Sequence, residues 1–158
     1  MSGITNQVGA RSGVIGSGGG IGYEEGLFTG VFHDSGGTAG GMSASQTTGF
    51  YTKIGRTVTI CGRFECSGLG SMTTSDPLFL SGLPFPPNTT SYNAMTAGSV
   101  SHASGLAISA GQYANVYTDP SSGKLKFKLW DVTTGTSDFL VSELSADGAF
   151  VIGMTYQT

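Results

Sequence analysis

Apolar and polar residues alternate with a period of two from residue 57 to residue 66, and this alternation predicts one long β-strand with a dry face and a wet face. The expected dry face comprises Val58, Ile60, Phe64 and Cys66. The expected wet face comprises Thr57, Thr59, Cys61, Arg63 and Glu65. A half-buried antiparallel strand is therefore the expected unit of the fold.

Short segments of the same kind recur from Tyr23 onward, separated by turn signals rich in Gly, Pro and Asp. The strongest turn signal is Asp119 to Gly123, which predicts a hairpin between the strands on either side. The expected strands are 25–33, 38–45, 48–54, 56–67, 76–82, 94–103, 112–118, 124–131, 138–143 and 148–157. Because no stretch of ten residues shows a helical period, we expect an all-β fold, an antiparallel β-sandwich or jelly roll over residues 23–158.

The first 22 residues have a different composition, rich in glycine and with Arg11 as their one charged side chain. Such a segment cannot build a core of its own, so any order in it requires a surface to lie on. We expect an extended attachment arm, residues 1–22, that is captured by a neighbouring subunit or a larger assembly. Docking against its own domain is the alternative. The expected contact residues of the arm are Ile4, Val8, Arg11, Val14 and Ile15.

Composition narrows the function classes. The chain has 158 residues, 27 of them Gly, and only 11% are charged, which fits one domain of short strands and tight turns. The net charge of −3 argues against a general nucleic-acid binder, and no apolar run is long enough to span a membrane.

The two cysteines, Cys61 and Cys66, are expected on opposite faces of one strand. A disulfide between them is therefore excluded, which suits synthesis in a reducing cytosol.

No catalytic, cofactor-binding or metal-binding set stands out in the sequence. His33 and His102 lie far apart, without metal-ligand spacing, and each is expected to be solvated or satisfied in the core. Glu24 and Glu25, the one adjacent acidic pair, would point to opposite faces of a strand. An enzyme such as a small depolymerase would need carboxylates from distant strands or from two subunits. We therefore expect no enzymatic activity.

Two further patterns leave alternatives open. Lys124, Lys126 and Lys128 alternate with apolar residues. This pattern could be a basic stripe that binds an anionic partner, a solvated strand face, or lysines that protect a sheet edge from aggregation. Four aromatic residues with polar neighbours could form platforms for a surface carbohydrate, or could belong to the core or to a subunit interface. These four residues are Tyr92, Tyr113, Tyr117 and Trp130.

Three short motifs together resemble a recurring domain of tailed-phage virion proteins. They are the turn and strand from Tyr51 to Phe64, the segment from Leu78 to Phe85, and the closing strand from Gly153 to Tyr156. The resemblance covers residues 25–158 and involves no catalytic motif. In that family such domains occur at the ends of tail fibres and spikes and as small appendages on virions, and they are commonly trimeric.

The resemblance implies a non-enzymatic virion structural protein that is made in the host cytoplasm. Only 22 residues precede the domain, where a fibre carries a long repetitive shaft. We therefore expect a capsid decoration (cement) protein or a small appendage subunit, anchored by its arm. The alternative is a tail fibre or spike module that recognises host-surface carbohydrate. The expected partners are other copies of the chain in a homotrimer, the major capsid or tail protein, and a host glycan, with no cofactor.

Overall fold

The computed structural model describes residues 22–90, 92–132 and 135–158, and within these ranges it contains β-strands and two 3-10 turns but no α-helix. The strands are β1 (Tyr23–Thr29), β2 (Val31–His33), β3 (Gly41–Met42), β4 (Thr48–Ile54), β5 (Thr57–Gly68), β6 (Phe79–Ser81), β7 (Ala97–Leu106), β8 (Tyr113–Asp119), β9 (Lys124–Val132), β10 (Gly135–Asp138) and β11 (Leu144–Gln157). The 3-10 turns are Tyr92–Ala94 and Val141–Glu143. The predicted all-β antiparallel fold is confirmed.

The strands form one antiparallel sheet that nearly closes on itself, in the order β1-β4-β5-β11-β7-β8-β9-β6-β2, with β10 beside β9 and β3 beside β5. Strand β7 joins two half-sheets, since its later residues pair with β11 and Ala97 and Gly98 pair with β8. The first half-sheet is β1, β4, β5 and β11, and the second is β8, β9, β6, β2 and β10. The chain runs from β1 directly into β2 through Gly30, so the two ends of the strand order meet.

Strand β5 matches its prediction in both length and faces. Val58, Ile60, Phe64 and Cys66 are buried, whereas Cys61 is exposed. Both thiols are free, as expected, and burial raises the pKa of the Cys66 thiol. The Asp119–Gly123 hairpin is also confirmed, because β8 pairs with β9 across it and the Asp119 carbonyl accepts a hydrogen bond from the Gly123 amide at 2.9 Å.

Four predicted strands were wrong in part, and one of them, the segment 76–82, contributes only the three-residue β6. The segment 25–33 is two strands in opposite half-sheets, because the chain turns the corner at Gly30. The segment 38–45 contributes only the two-residue β3. The segment 138–143 is not a strand, since β10 ends at Asp138 and residues 141–143 form a 3-10 turn. A Cβ on Gly30 would lie 2.5 Å from the Phe64 ring, so glycine at the corner is a packing requirement.

The core lies between the two half-sheets and is built around four phenylalanine rings. Phe127 of β9 stacks on Phe150 of β11 with 4.6 Å between ring centroids. Phe32 and Phe139 meet Phe150 edge to face at 5.9 Å and 5.5 Å. All four rings are fully buried. The halves are therefore held together by aromatic contacts that cross the sandwich.

Candidate functional site

An exposed aromatic pair lies on the outer face of the second half-sheet. Tyr113 of β8 is directly opposite Trp130 of β9, with the rings inclined by only 14° and their centroids 5.9 Å apart. Tyr113 is 57% and Trp130 41% exposed. The pair borders an open groove of about 350 Å3, here called the aromatic groove, whose other lining residues are Ala110, Gly111, Gln112 and Asp131.

Local hydrogen bonds fix the polar wall of the aromatic groove. The Gln112 side-chain oxygen accepts a hydrogen bond from the Ser109 amide at 2.6 Å and closes the tight turn that precedes β8. The Asp131 carboxylate accepts one from the Ser137 hydroxyl at 2.6 Å. An exposed apolar surface beside a few oriented polar groups can bind a ligand that has both kinds of surface.

The other two aromatic candidates do not join this pair. Tyr92 is 80% exposed on the 3-10 turn at 92–94. Tyr117 lies on the same strand face as Tyr113 but four residues away, roughly 13 Å along an extended chain. Burial raises the pKa of Tyr117 to about 12, helped by the negative charges of Asp119 and Asp138, so its hydroxyl stays neutral. The structure thus places Tyr113 and Trp130 in one stacked pair, whereas Tyr92 lies close enough to Tyr117 to add to the rise in the pKa of Tyr117.

Two of the three lysines in the stripe on β9 share one carboxylate within the domain. The Asp138 carboxylate of β10 lies 3.0 Å from the Lys126 ammonium and 2.7 Å from the Lys128 ammonium. Although burial alone would raise it, these two hydrogen bonds hold the pKa of Asp138 below its ordinary value. Strand β9 lies between β8 and β6, so the stripe does not guard a sheet edge. An anionic partner would have to compete with Asp138 for two of the three lysines.

His33 is buried in β2 beside this lysine network. Its Nδ1 donates a hydrogen bond to the Asp34 carbonyl at 2.7 Å, and its ring stacks on Phe79 at 5.5 Å. Its Nε2 is buried without a hydrogen-bond partner. Burial lowers the pKa of His33, the Asp34 carbonyl opposes that shift, and Lys124 adds to it. His33 therefore folds as the neutral imidazole. The expectation of a satisfied core histidine is met at Nδ1 but not at Nε2, whereas His102 is exposed, which was the other alternative.

We expect acidification from pH 7.5 to 5.5 to lower the free energy of unfolding, and His33→Gln to flatten that dependence. The ordinary pKa is 6.5, so below that pH the unfolded chain takes up a proton that the folded chain does not. The loss is at most about 1.4 kcal/mol per pH unit for one such group. Urea unfolding across this pH range measures it. The matched control His102→Gln should keep the wild-type slope, and an unchanged slope in His33→Gln would contradict the assignment.

A second exposed apolar surface lies on the outer face of the first half-sheet, and it is called here the apolar strip. It consists of Tyr23 and Leu27 of β1 and Phe50 and Ile54 of β4, which are 52%, 62%, 61% and 48% exposed. This surface was not predicted from the sequence. Its signal is the pair Leu27-Phe28, since two adjacent large apolar residues in one strand cannot both face the core.

Metal ligands, membrane-spanning helices and the predicted arm are the remaining points. Within those ranges, no three His, Cys, Asp or Glu side chains are grouped so that they could hold a metal ion. No helix in the described part of the chain is long and apolar enough to cross a membrane. The five expected contact residues of the arm, Ile4, Val8, Arg11, Val14 and Ile15, lie outside the described residues.

The three motifs of the phage resemblance meet at one point. Tyr51 packs edge to face on Phe85 at 5.6 Å, and the Lys53 ammonium lies over the same ring, 4.8 Å from its centroid. The Tyr156 hydroxyl donates a hydrogen bond to the Phe85 carbonyl at 2.8 Å. These residues, far apart in sequence, lock the β4–β5 hairpin, the chain after β6 and the last strand together.

Comparison with known proteins identifies the fold. No protein-family model matches the chain, and no curated protein matches its sequence. Among solved structures it is similar to the crystal structure of the Dettilon tailspike protein (gp208), with a TM-score of 0.72 and 14% sequence identity. The match covers 85% of this chain but 24% of the tailspike chain. The chain therefore shares the fold of a region that makes up about a quarter of that tailspike.

Proposed function

We propose that this chain is a non-enzymatic structural module of a tailed-phage appendage, carried on the virion and self-associated there, with a homotrimer as the expected state. The observation that carries the proposal is the fold shared with part of a tailspike protein. It favours a tail position over the capsid decoration expected from the sequence. The major tail protein is then the expected partner of the arm.

The contacts around Phe85 support a structural rather than a catalytic role for the three motifs of the phage resemblance. Phe85 is contacted by the Tyr51 ring, by the Lys53 ammonium and by the Tyr156 hydroxyl, all within the domain. The acidic groups near the aromatic groove are engaged as well, Asp131 by Ser137 and Asp138 by two lysines. Against the effect of burial, the hydrogen bonds from Lys128 and Lys126 hold the pKa of Asp138 below its ordinary value, so Asp138 is a poor proton donor at neutral pH, which favours binding over hydrolysis.

Deletion of residues 1–20 is expected to prevent incorporation into phage particles while the β-domain stays folded. The physical reason is that the domain core is formed by described residues from Phe28 onward, whereas attachment is assigned to the arm. Immunoblotting of purified particles measures incorporation, and circular dichroism of the truncated protein checks the fold. Full loading of truncated protein would overturn anchoring by the arm.

A second candidate function is recognition of a host-surface glycan in the aromatic groove. Sugars present apolar faces together with hydroxyl groups, which suits Tyr113 and Trp130 beside Gln112 and Asp131. This function is compatible with attachment to the particle, so it adds a role to the structural one.

If a glycan binds there, Trp130→Ala should weaken binding by roughly tenfold or more, as expected for a central aromatic contact. A glycan array with the purified full chain identifies the ligand, and titration calorimetry compares the variants. Tyr92→Ala is the control, since it removes an exposed aromatic ring outside the aromatic groove. Equal losses in both variants, or none in either, would argue against the groove.

A further inference from the structure

The apolar strip runs across two strands and continues onto a third. Leu27 is directly opposite Phe50, and Tyr23 is opposite Ile54, so the four side chains point outward together. Cys61 of β5 is the next neighbour of Phe50 and is also exposed. Large apolar side chains that cluster on one exposed face, instead of being scattered, mark an interaction surface.

The rest of this face is nearly free of charge. Beyond the strip, most outward positions of β5 and β11 carry small or neutral side chains. These are Thr57, Thr59, Cys61, Gly153, Thr155 and Gln157. The charged residues on the face are Glu25, which accepts a hydrogen bond from the Tyr23 hydroxyl, and Arg63 with Glu65, which pair with each other at 2.8 Å near one end. Depletion of charge is characteristic of the buried centre of an interface and is unusual for a solvated sheet face.

We infer that the apolar strip is the surface through which copies of this chain pack against one another, each copy turning the same strip toward a shared axis. The inference rests on the self-association proposed above and names the surface that carries it. A face with its few charges paired or hydrogen-bonded can meet its own image without like-charge repulsion, although the chain as a whole carries a net charge of −3.

The position of the face fits another copy of the chain. Four strands about 4.8 Å apart and seven residues long span a projected area of roughly 19 by 23 Å, about half of the roughly 800 Å2 that one partner contributes to an interface of standard size, so the strip would form the centre of a larger contact. Strand β1 lies at one end of the strand order. Among the described residues it pairs with β4 on one side and with no strand on the other. Residues 1–21 join the domain at Gly22, next to Tyr23 of the strip. The arms of associated copies would therefore start side by side, as joint attachment to one particle requires.

Analytical ultracentrifugation of the full chain over a range of concentrations tests the inference. We expect the wild type to sediment as an oligomer and the double variant Leu27→Glu/Phe50→Glu to sediment as a monomer, since the new carboxylates face one another across the interface. The control Tyr92→Glu/Met95→Glu places the same charges at exposed apolar positions outside the strip and should remain oligomeric. Circular dichroism checks that each variant is folded, and Leu27→Ser/Phe50→Ser replaces the double glutamate if that variant is unfolded.

Cys61 provides a second readout at a native thiol, because Cys66 is buried in the domain. In the wild-type oligomer the Cys61 thiol should react with a maleimide at least roughly tenfold more slowly than in the monomeric variant, since it becomes accessible only when the copies separate.

The possible outcomes distinguish the inference about the apolar strip from the proposal that the chain self-associates. A wild type that is monomeric at all concentrations, with a reactive Cys61, overturns both self-association and the inference. An oligomer that survives the strip substitutions, or whose Cys61 reacts freely, overturns the inference and leaves self-association standing. A monomer with a protected Cys61 means that residues 1–21 of the same chain cover the strip, and this result also overturns the inference.

Discussion

Phe150→Ala is expected to lower the free energy of unfolding by about 3–5 kcal/mol, as for other fully buried phenylalanines. The Phe150 ring is fully buried and touches Phe32, Phe127 and Phe139, so its removal leaves a cavity between the two half-sheets. The surrounding rings belong to β2, to β9 and to the segment after β10, and cannot all move in to fill the space. Urea unfolding at pH 7.5, followed by tryptophan fluorescence and circular dichroism, gives the difference.

The same aromatic-to-alanine change at Tyr92, which is 80% exposed, should alter the free energy of unfolding by no more than about 0.5 kcal/mol. A loss below about 1 kcal/mol in Phe150→Ala would mean that the core relaxes around the gap. In that case the two half-sheets would be held together mainly by the hydrogen bonds through β7 and by the corner at Gly30. The aromatic contacts across the sandwich would then contribute less to the free energy of unfolding.

Gly82→Ala should destabilise the fold by about 2–4 kcal/mol through two effects that add. Gly82 has a φ of +82°, a conformation that costs a residue with a side chain. In addition, the new Cβ would lie 2.0 Å from the Thr29 carbonyl oxygen, at the place where the chain leaves β1 for β2. The backbone at Gly82 or the backbone at Thr29 must therefore move. Either movement disturbs the place where the two ends of the strand order come together.

Two other glycines separate the two effects. Gly111→Ala adds a Cβ in open space at a φ of +89° and should cost about 1 kcal/mol for the backbone conformation alone. Gly68→Ala meets no atom within 4 Å and has no positive φ, so it should change stability by less than about 0.5 kcal/mol. If Gly82→Ala were no worse than Gly111→Ala, the close approach at Thr29 would have no energetic weight.

The aromatic groove shows how much of a site local pattern can predict. Both Tyr113 and Trp130 were candidates, and their pairing was within reach of the sequence. The turn from Asp119 to Gly123 sets Asp119 opposite Lys124, and counting back along the two strands then places Tyr113 opposite Trp130. The lysine stripe was less predictable, because Asp138 reaches Lys126 and Lys128 from β10, whose register on β9 is shifted by a bulge.

The sequence by itself determined the local structure: the alternating faces of β5, the β8–β9 hairpin and the separation of Cys61 from Cys66. These follow from a side-chain period of two and from turn chemistry, both of which act over a few residues. Only the tertiary structure decided that Gly30 turns the chain between half-sheets, that three motifs converge on Phe85, and that Leu27 and Phe50 share an outer face. Each depends on which distant strands pair and in what register, and register is set by packing over the whole core.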